Sequence, residues 1–550
     1  MKKIVPAIVS VVSLSLATGL LTPISVVQGE EFTPYYGTGP SYIQPDNLSY
    51  LFPVPNTSFK TPAFQQDRLA FTSQEEMTTF IKNLSHKNKN IQLKTIGQST
   101  EGRDIPMLLF SKDTKKVQKN SKKPLIWIQG QIHGNEPAAG ESTLVIAQWL
   151  AEGKLGHVLD KVNIAIVPRV NPDGSYYFKR TTAENLDANR DYLKVEHPEV
   201  QTIHRAINAY EPEVILDVHE YTVNPAPLKN VGTNGSIASY DLLISSAKNL
   251  NIPQTLRKAS DELLLPKVFK TLEKEKLSYH DYYTLANDNG VLTATEGSTE
   301  ARIGRNALGL KNTMSYLIET RGINIGRTDF TRRVFAQATA QAAFIKATAD
   351  QASKVKKVVR QSENEVVRKG EKANDRDKIV IKSENKQMKD QKLTVIDLEK
   401  AKKVDTPIDW LDSTDAYPTL VRNRPTAYIL PAEYKEVAKK LERLGVSVNK
   451  LKRSVTVPVE SYKVTDLKVS EELENGHATK EVTTSVSTKN QRFSKGSYVF
   501  SMAQPDANFI ALALEPEGID SYVTFNFIPA IKGNELPVYR YMKQTSLPVK

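Results

Sequence analysis

Lys123-Pro-Leu-Ile-Trp-Ile-Gln-Gly-Gln-Ile-His-Gly-Asn-Glu-Pro-Ala-Ala-Gly-Glu-Ser-Thr-Leu-Val-Ile-Ala-Gln-Trp-Leu150 is the stretch that decides the fold. Its opening, up to Gly130, is short, apolar and rich in β-branched and aromatic side chains, the pattern of a buried strand. Pro137 then suits the first turn of a helix that runs through residues 143–146 to Trp149-Leu150. His133 and Glu136 therefore fall in the loop at the carboxyl end of a strand, the edge where open α/β sheets bind ligands. Downstream, Val214-Ile-Leu-Asp-Val-His219 reads as another strand with His219 at its end. Two imidazoles and one carboxylate can fill three positions of a tetrahedral zinc site and leave the fourth for water. A metal so held acidifies its water and polarises a carbonyl, so a hydrolase is the leading expectation. A His-x-x-Glu pair alone is weak evidence, because short motifs arise by chance in long chains. Its place at a strand end is what raises it. Of the remaining histidines, His86, His157, His197, His204 and His477 read as solvated, and His280, beside Asp281 and Tyr282, stays a candidate.

Between the two segments lie Asn171-Pro-Asp-Gly174, Lys179-Arg180 and Asp187-Ala-Asn-Arg-Asp191. The first is a turn signal, equally readable as a plain surface turn. Arg180, Asn189 and Arg190 form a more pointed set: Arg binds carboxylates in bidentate fashion, and an Asn–Arg pair can clamp one. Asp187 can accept from the free ring nitrogen of a metal-bound His and fix its tautomer. Thr313-Met-Ser-Tyr-Leu-Ile-Glu-Thr-Arg-Gly322 is a strand pattern carrying Glu319 near its end, where a carboxylate beside a metal's water is the expected general base.

Taken in order, these motifs resemble the zinc metallocarboxypeptidase family, of which carboxypeptidase A is the best known. The resemblance spans about residues 65 to 345 and includes Ile96-Gly-Gln-Ser-Thr-Glu-Gly-Arg-Asp-Ile105, similar to the family's opening hairpin. It implies one Zn2+ per chain held by His133, Glu136 and His219, with Glu319 as base and proton shuttle. It implies that Arg180 polarises the scissile carbonyl, that Asn189 and Arg190 bind the terminal carboxylate, and that Asp187 backs His133. Tyr221 falls on a substrate-cleft position. Three departures stand out. Asn135 replaces an Arg of the digestive enzymes. The spacing from Glu136 to His219 is shorter, so the loops that roof the cleft are expected to be trimmed. The mobile cleft tyrosine would fall near Glu296-Gly297, where there is none, leaving Tyr282 or Tyr283 to stand in. The position lining the pocket for the terminal side chain falls near Arg305, which would favour an acidic group there; a surface Arg capping a helix is the alternative.

At 550 residues the chain is expected to hold more than one domain. Lys2-Lys3 followed by apolar residues 4–21 reads as a secretory signal peptide covering residues 1–29, with cleavage after Gly29. No other stretch is long and apolar enough to span a bilayer. Export without a single cysteine fits secretion from a Gram-positive bacterium. A net charge of +12 favours loose association with anionic cell wall, and the scattered Lys and Arg, interleaved with acids, do not read as a nucleic-acid surface. An N-terminal arm is expected over residues 30–64. A catalytic α/β domain follows over 65–350, with a mixed, mostly parallel twisted sheet and helices on both faces. Residues 351–404 read as a charged linker or solvated helix, and residues 405–550 as a strand-rich α+β accessory domain. The leading function is a secreted zinc carboxypeptidase. The alternatives are a hydrolase of murein peptides on the same fold and a surface-binding protein with weak catalysis.

Overall fold

Apolar strands alternating with helices between residues 91 and 323 assemble, in a computed structural model of the chain, into one eight-stranded sheet. The strands are β1 (Ile91–Gln98), β2 (Asp104–Phe110), β3 (Leu125–Gly130), β4 (Asn163–Val167), β5 (Val214–Thr222), β6 (Leu242–Ser246), β7 (Tyr279–Asp281) and β8 (Met314–Ile323), lying in the order β1-β2-β4-β3-β5-β8-β6-β7. Four of the seven pairings are parallel, in keeping with the expected mixed, mostly parallel sheet. β3 and β4 are buried at every position, which two covered faces require. The structure describes residues 40–65, 68, 70–117, 121–288, 290–371 and 377–550; the expected signal peptide lies outside them. Among the described residues no helix is long and apolar enough to cross a membrane.

Alternation along β5 places helices on both faces. Glu220 points one way. Its carboxylate accepts from the Ala138 amide (2.8 Å) at the start of helix Pro137–Ala151 and pairs with Arg333 (2.6 Å) of helix Phe330–Asp350. Asp217 and His219 point the other way. Helix Gly304–Leu310 packs so closely there that a β-carbon on Gly304 would come within 3.0 Å of the Asp217 carboxylate. Ser73 with its acidic first turn is a helix-start pattern, and the helix it predicts runs Gln74–Lys87, closed by a capping box between Ser73 and Glu76. Of the expected arm, Phe59 and Ala63 join the main core, and Gln44 accepts from Arg321 (2.7 Å).

The expected division after residue 350 is corrected by the structure. Residues 351–404 are not a linker: helix Ala352–Glu371 buries Val355, Val359 and Val366 as one apolar stripe, and β9 (Lys378–Asp397) follows. No boundary falls at 405 either, because β9 pairs along its length with β10 (Lys402–Asn423). Their sheet also takes in Ser236–Ala238, Val291–Thr295 and Thr284–Asp288 from the catalytic part. Mixed charge hid these strands, since their outer faces are solvated. Beyond them a six-stranded sheet includes Ala427–Leu430, Tyr498–Ser501 and the long hairpin β11 (Val455–Glu474) and β12 (His477–Phe493). Residues 433–444 are amphipathic at helical spacing and stopped by Gly445, and the helix this predicts is Lys435–Arg443. Residues 522–528 alternate like a strand but form turns: Tyr522, Val523, Phe525 and Ile528 are buried, and the Tyr522 hydroxyl donates to the Leu193 carbonyl (3.0 Å). Their apolar pattern serves docking onto the catalytic part, not sheet pairing.

Candidate metal centre and cleft

The loop after β3 is held by close backbone packing. Glu136 occupies the N-cap position and Pro137 the first turn of the helix, as the sequence indicates. A β-carbon on Gly134 would lie 1.9 Å from the Gly174 backbone, so only glycine fits there. Asn171-Pro-Asp-Gly174 is therefore no surface turn. Asn171 is buried; its Oδ1 accepts from the Gly174 amide (2.8 Å) and its Nδ2 donates to the Ile132 carbonyl (3.1 Å), fixing the loop that carries His133.

His133, Glu136 and His219 are all buried, and their ligating atoms lie within 4.8 Å of one another. His133 Nδ1 is 2.7 Å from Glu136 Oε1, and His219 Nδ1 is 3.0 Å from Glu136 Oε2. The two Nδ1 atoms are 3.2 Å apart. Zn–N bonds of about 2.0–2.1 Å in a tetrahedron place two nitrogens about 3.3 Å apart, so this donor set fits zinc. Each imidazole has a carboxylate behind it. His133 Nε2 meets Asp187 Oδ1 at 3.1 Å, and His219 Nε2 lies 3.2 Å from Asp217 Oδ2, out of line for a hydrogen bond. The sequence reading assigned Asp217 no role, although Asp217-Val-His219 places both side chains on one strand face. Burial opposes the charge on Asp187, yet His133 and Arg180 hold its carboxyl far below the usual carboxylate range.

Arg180 donates to Asp187 Oδ2 through Nη2 (2.9 Å) and lies 3.7 Å from Glu136. Glu319 stands beside His219 across the β5–β8 pairing. Burial pushes it up to about 7, with Glu136 adding to the rise and His219, His133 and Arg180 opposing it. His133, Arg180, Asn189, Arg190, Tyr221, Arg305 and Glu319 all line one cavity of about 470 Å3. Asn189 Oδ1 accepts from the Gly304 amide (2.8 Å), and Arg190 Nη1 donates to the Asn189 carbonyl (3.0 Å). Tyr221 spends its hydroxyl on the Tyr240 carbonyl. Arg305 is no surface residue: it is 1% exposed, Nη2 donates to the Ser298 carbonyl (2.9 Å), and Nε and Nη1 have no partner among the described residues. Gly297 makes room for it, since a β-carbon there would lie 2.5 Å from Nη2. Of the two stand-in tyrosines, Tyr283 packs against Trp410 and His280, whereas Tyr282 lies 5.7 Å from the Arg305 guanidinium and feels the Glu319 charge. His280 sits among aromatic rings, away from the donor cluster.

Carboxypeptidase 2 of Trichophyton rubrum is 33% identical over 476 residues, covering 85% of this chain and 86% of its own. The chain belongs to the zinc carboxypeptidase family. The profile of that family, described as zinc carboxypeptidase, matches residues 77–331, a span holding every site residue named above. The carboxypeptidase is similar over a shorter stretch to carboxypeptidase Z of Rattus norvegicus, 30% identical over 144 residues, covering 23% of this chain and 22% of that protein. Among solved structures, carboxypeptidase A of Helicoverpa armigera aligns with a TM-score of 0.38 at 18% identity, over 52% of this chain and 75% of its own. As a family member the carboxypeptidase is a peptide hydrolase. The relative that spans most of the chain is fungal, which gives no support to the expected Gram-positive source.

Proposed function

We propose that this carboxypeptidase is an exported exopeptidase that uses one zinc ion and a Glu319 base to remove the C-terminal residue of peptides. The observation that carries the reading is the convergence of the His133–Glu136–His219 donors, Glu319 and the Asn189–Arg190 pair on one cavity. Export rests on the charged and apolar pattern of residues 1–29.

Asp187 accepts from His133 Nε2–H, which leaves the Nδ1 lone pair facing the donor cluster. A zinc ion held by these donors acidifies water and polarises a carbonyl. Glu319 takes the proton of the attacking water and returns it to the departing amine. Arg180, steered by Asp187, faces the developing oxyanion. Asn189 and Arg190 hold the peptide's terminal carboxylate, so only a chain end fits. Tyr282 lines the same cavity and stands in for the cleft tyrosine. On purification, one equivalent of zinc per chain is expected. Chelation should abolish release of C-terminal residues and added zinc should restore it; release that persisted in metal-free protein would sink the reading.

Arg305 sets the pocket preference on this reading. A buried guanidinium with two unpartnered nitrogens favours a terminal Asp or Glu, because a hydrogen bond to a charged group contributes about 1.5–3 kcal/mol. Arg305→Met should therefore lower kcat/KM on Glu-ended peptides about 10- to 100-fold relative to Leu-ended ones. Equal wild-type rates on the two peptide sets would remove Arg305 from the pocket.

A further inference from the structure

The tip of the β11–β12 hairpin reaches the loop that carries Asp187. Glu474 pairs with His477 across the strand ends, leaving the two-residue loop Asn475-Gly476. Both residues have positive φ (50° and 84°), the requirement of a type I′ turn and the reason Asn-Gly stands there. With the turn made by the backbone, the Asn475 side chain is free to grip another segment. Its Oδ1 accepts from the Asp187 amide (2.7 Å) and its Nδ2 donates to the Asp187 carbonyl (3.2 Å), a two-point hold like that of a neighbouring strand. No other described residue pairs with the Asp187 amide. Two side-chain contacts flank this grip: the Glu474–Arg302 ion pair (3.3 Å) and a His477–Glu196 hydrogen bond (2.7 Å).

Everything that Asp187 does toward the donor cluster depends on where its backbone sits. Its carboxylate meets His133 Nε2 at 3.1 Å and Arg180 Nη2 at 2.9 Å, and a small rotation of this loop would lose both contacts. We infer that Asn475, from the far end of the chain, is a positioning residue: it sets the Asp187 main chain, and through it the His133 ring and the Arg180 guanidinium. This rests on the proposed roles of His133 as metal ligand and Asp187 as its partner. Residues that orient metal ligands from behind affect metal affinity or activity by about 10- to 100-fold.

Asn475→Gly in the full chain tests it, because glycine keeps the I′ turn while removing the side chain. Zinc affinity, read by competition with a chelating dye, should weaken about tenfold, and kcat at saturating zinc should fall about tenfold with KM little changed. The thermal midpoint should stay close to that of the parent, separating positioning from loss of fold. In an Asp187→Ala background, Asn475→Gly should add nothing. Unchanged zinc affinity and kcat in Asn475→Gly, or a full further loss in the double variant, would overturn the inference. An Asp187→Ala variant with unchanged zinc affinity and kcat would instead overturn the roles given to His133 and Asp187, and the inference with them.

Discussion

Glu319→Gln is expected to lower kcat by about 10²- to 10⁴-fold while leaving zinc content and inhibitor binding intact. The substitution keeps the shape of the side chain and removes the carboxylate proposed to accept the proton of the attacking water and pass it on. That loss corresponds to about 3–5 kcal/mol of transition-state stabilisation. The pH dependence should follow. Burial raises Glu319 to about 7, and a dication among the three donors draws it down again. The base works deprotonated, so the parent enzyme loses activity as pH falls through the folded value. Residual turnover in Glu319→Gln should lack that acid limb. A variant that kept both full turnover and the limb would assign the base elsewhere.

Arg333→Met should destabilise the fold by about 3–5 kcal/mol. Arg333 and Glu220 are both buried (2% and 1% exposed), and the guanidinium holds Glu220 Oε1 through Nε (2.9 Å) and Nη2 (2.6 Å) while also donating to the Gly326 and Thr328 carbonyls. Removing the arginine strands a buried carboxylate and two carbonyls. Glu220 follows His219 directly and accepts from the first turn of helix Pro137–Ala151, so the damage should extend to the segments that carry the His133, Glu136 and His219 donors. Chemical denaturation measures the loss. The double change Glu220→Gln with Arg333→Met should recover part of it, because no charge is then left unpaired. A single variant as stable as the parent would show that water, not the arginine, satisfies Glu220.

The catalytic half was legible where local pattern and chemistry coincide. The strand before His133, the helix after Pro137 and the Ser73 cap each depend on neighbours in sequence. The donor set was legible because two imidazoles and a carboxylate at strand ends have few other uses. Asn171 was read only as a turn, since the backbone that packs on its turn, Gly134 against Gly174, is distant in sequence. Asp217 was passed over although its two-residue spacing from His219 carried the signal. The far half was harder. β9 looks like part of a charged linker because one of its faces is solvated, and of the strands beside it Ser236–Ala238 lies far back in the chain. The grip of Asn475 on Asp187 spans 288 positions and leaves no local trace beyond an Asn-Gly turn.

The shared sheet also has a consequence in time. Ribosomes make Val291–Thr295 well before β10, the strand that pairs with it, and make the Asp187 loop long before the turn at 475 that pins it. Glu296, next to the cleft-lining Thr295 and Gly297, likewise waits for the Ser413 amide (2.7 Å). An emerging chain thus carries its donor residues early and its finished cleft late. On the positioning role inferred for Asn475, hydrolytic competence arrives only after the turn at 475 has been made.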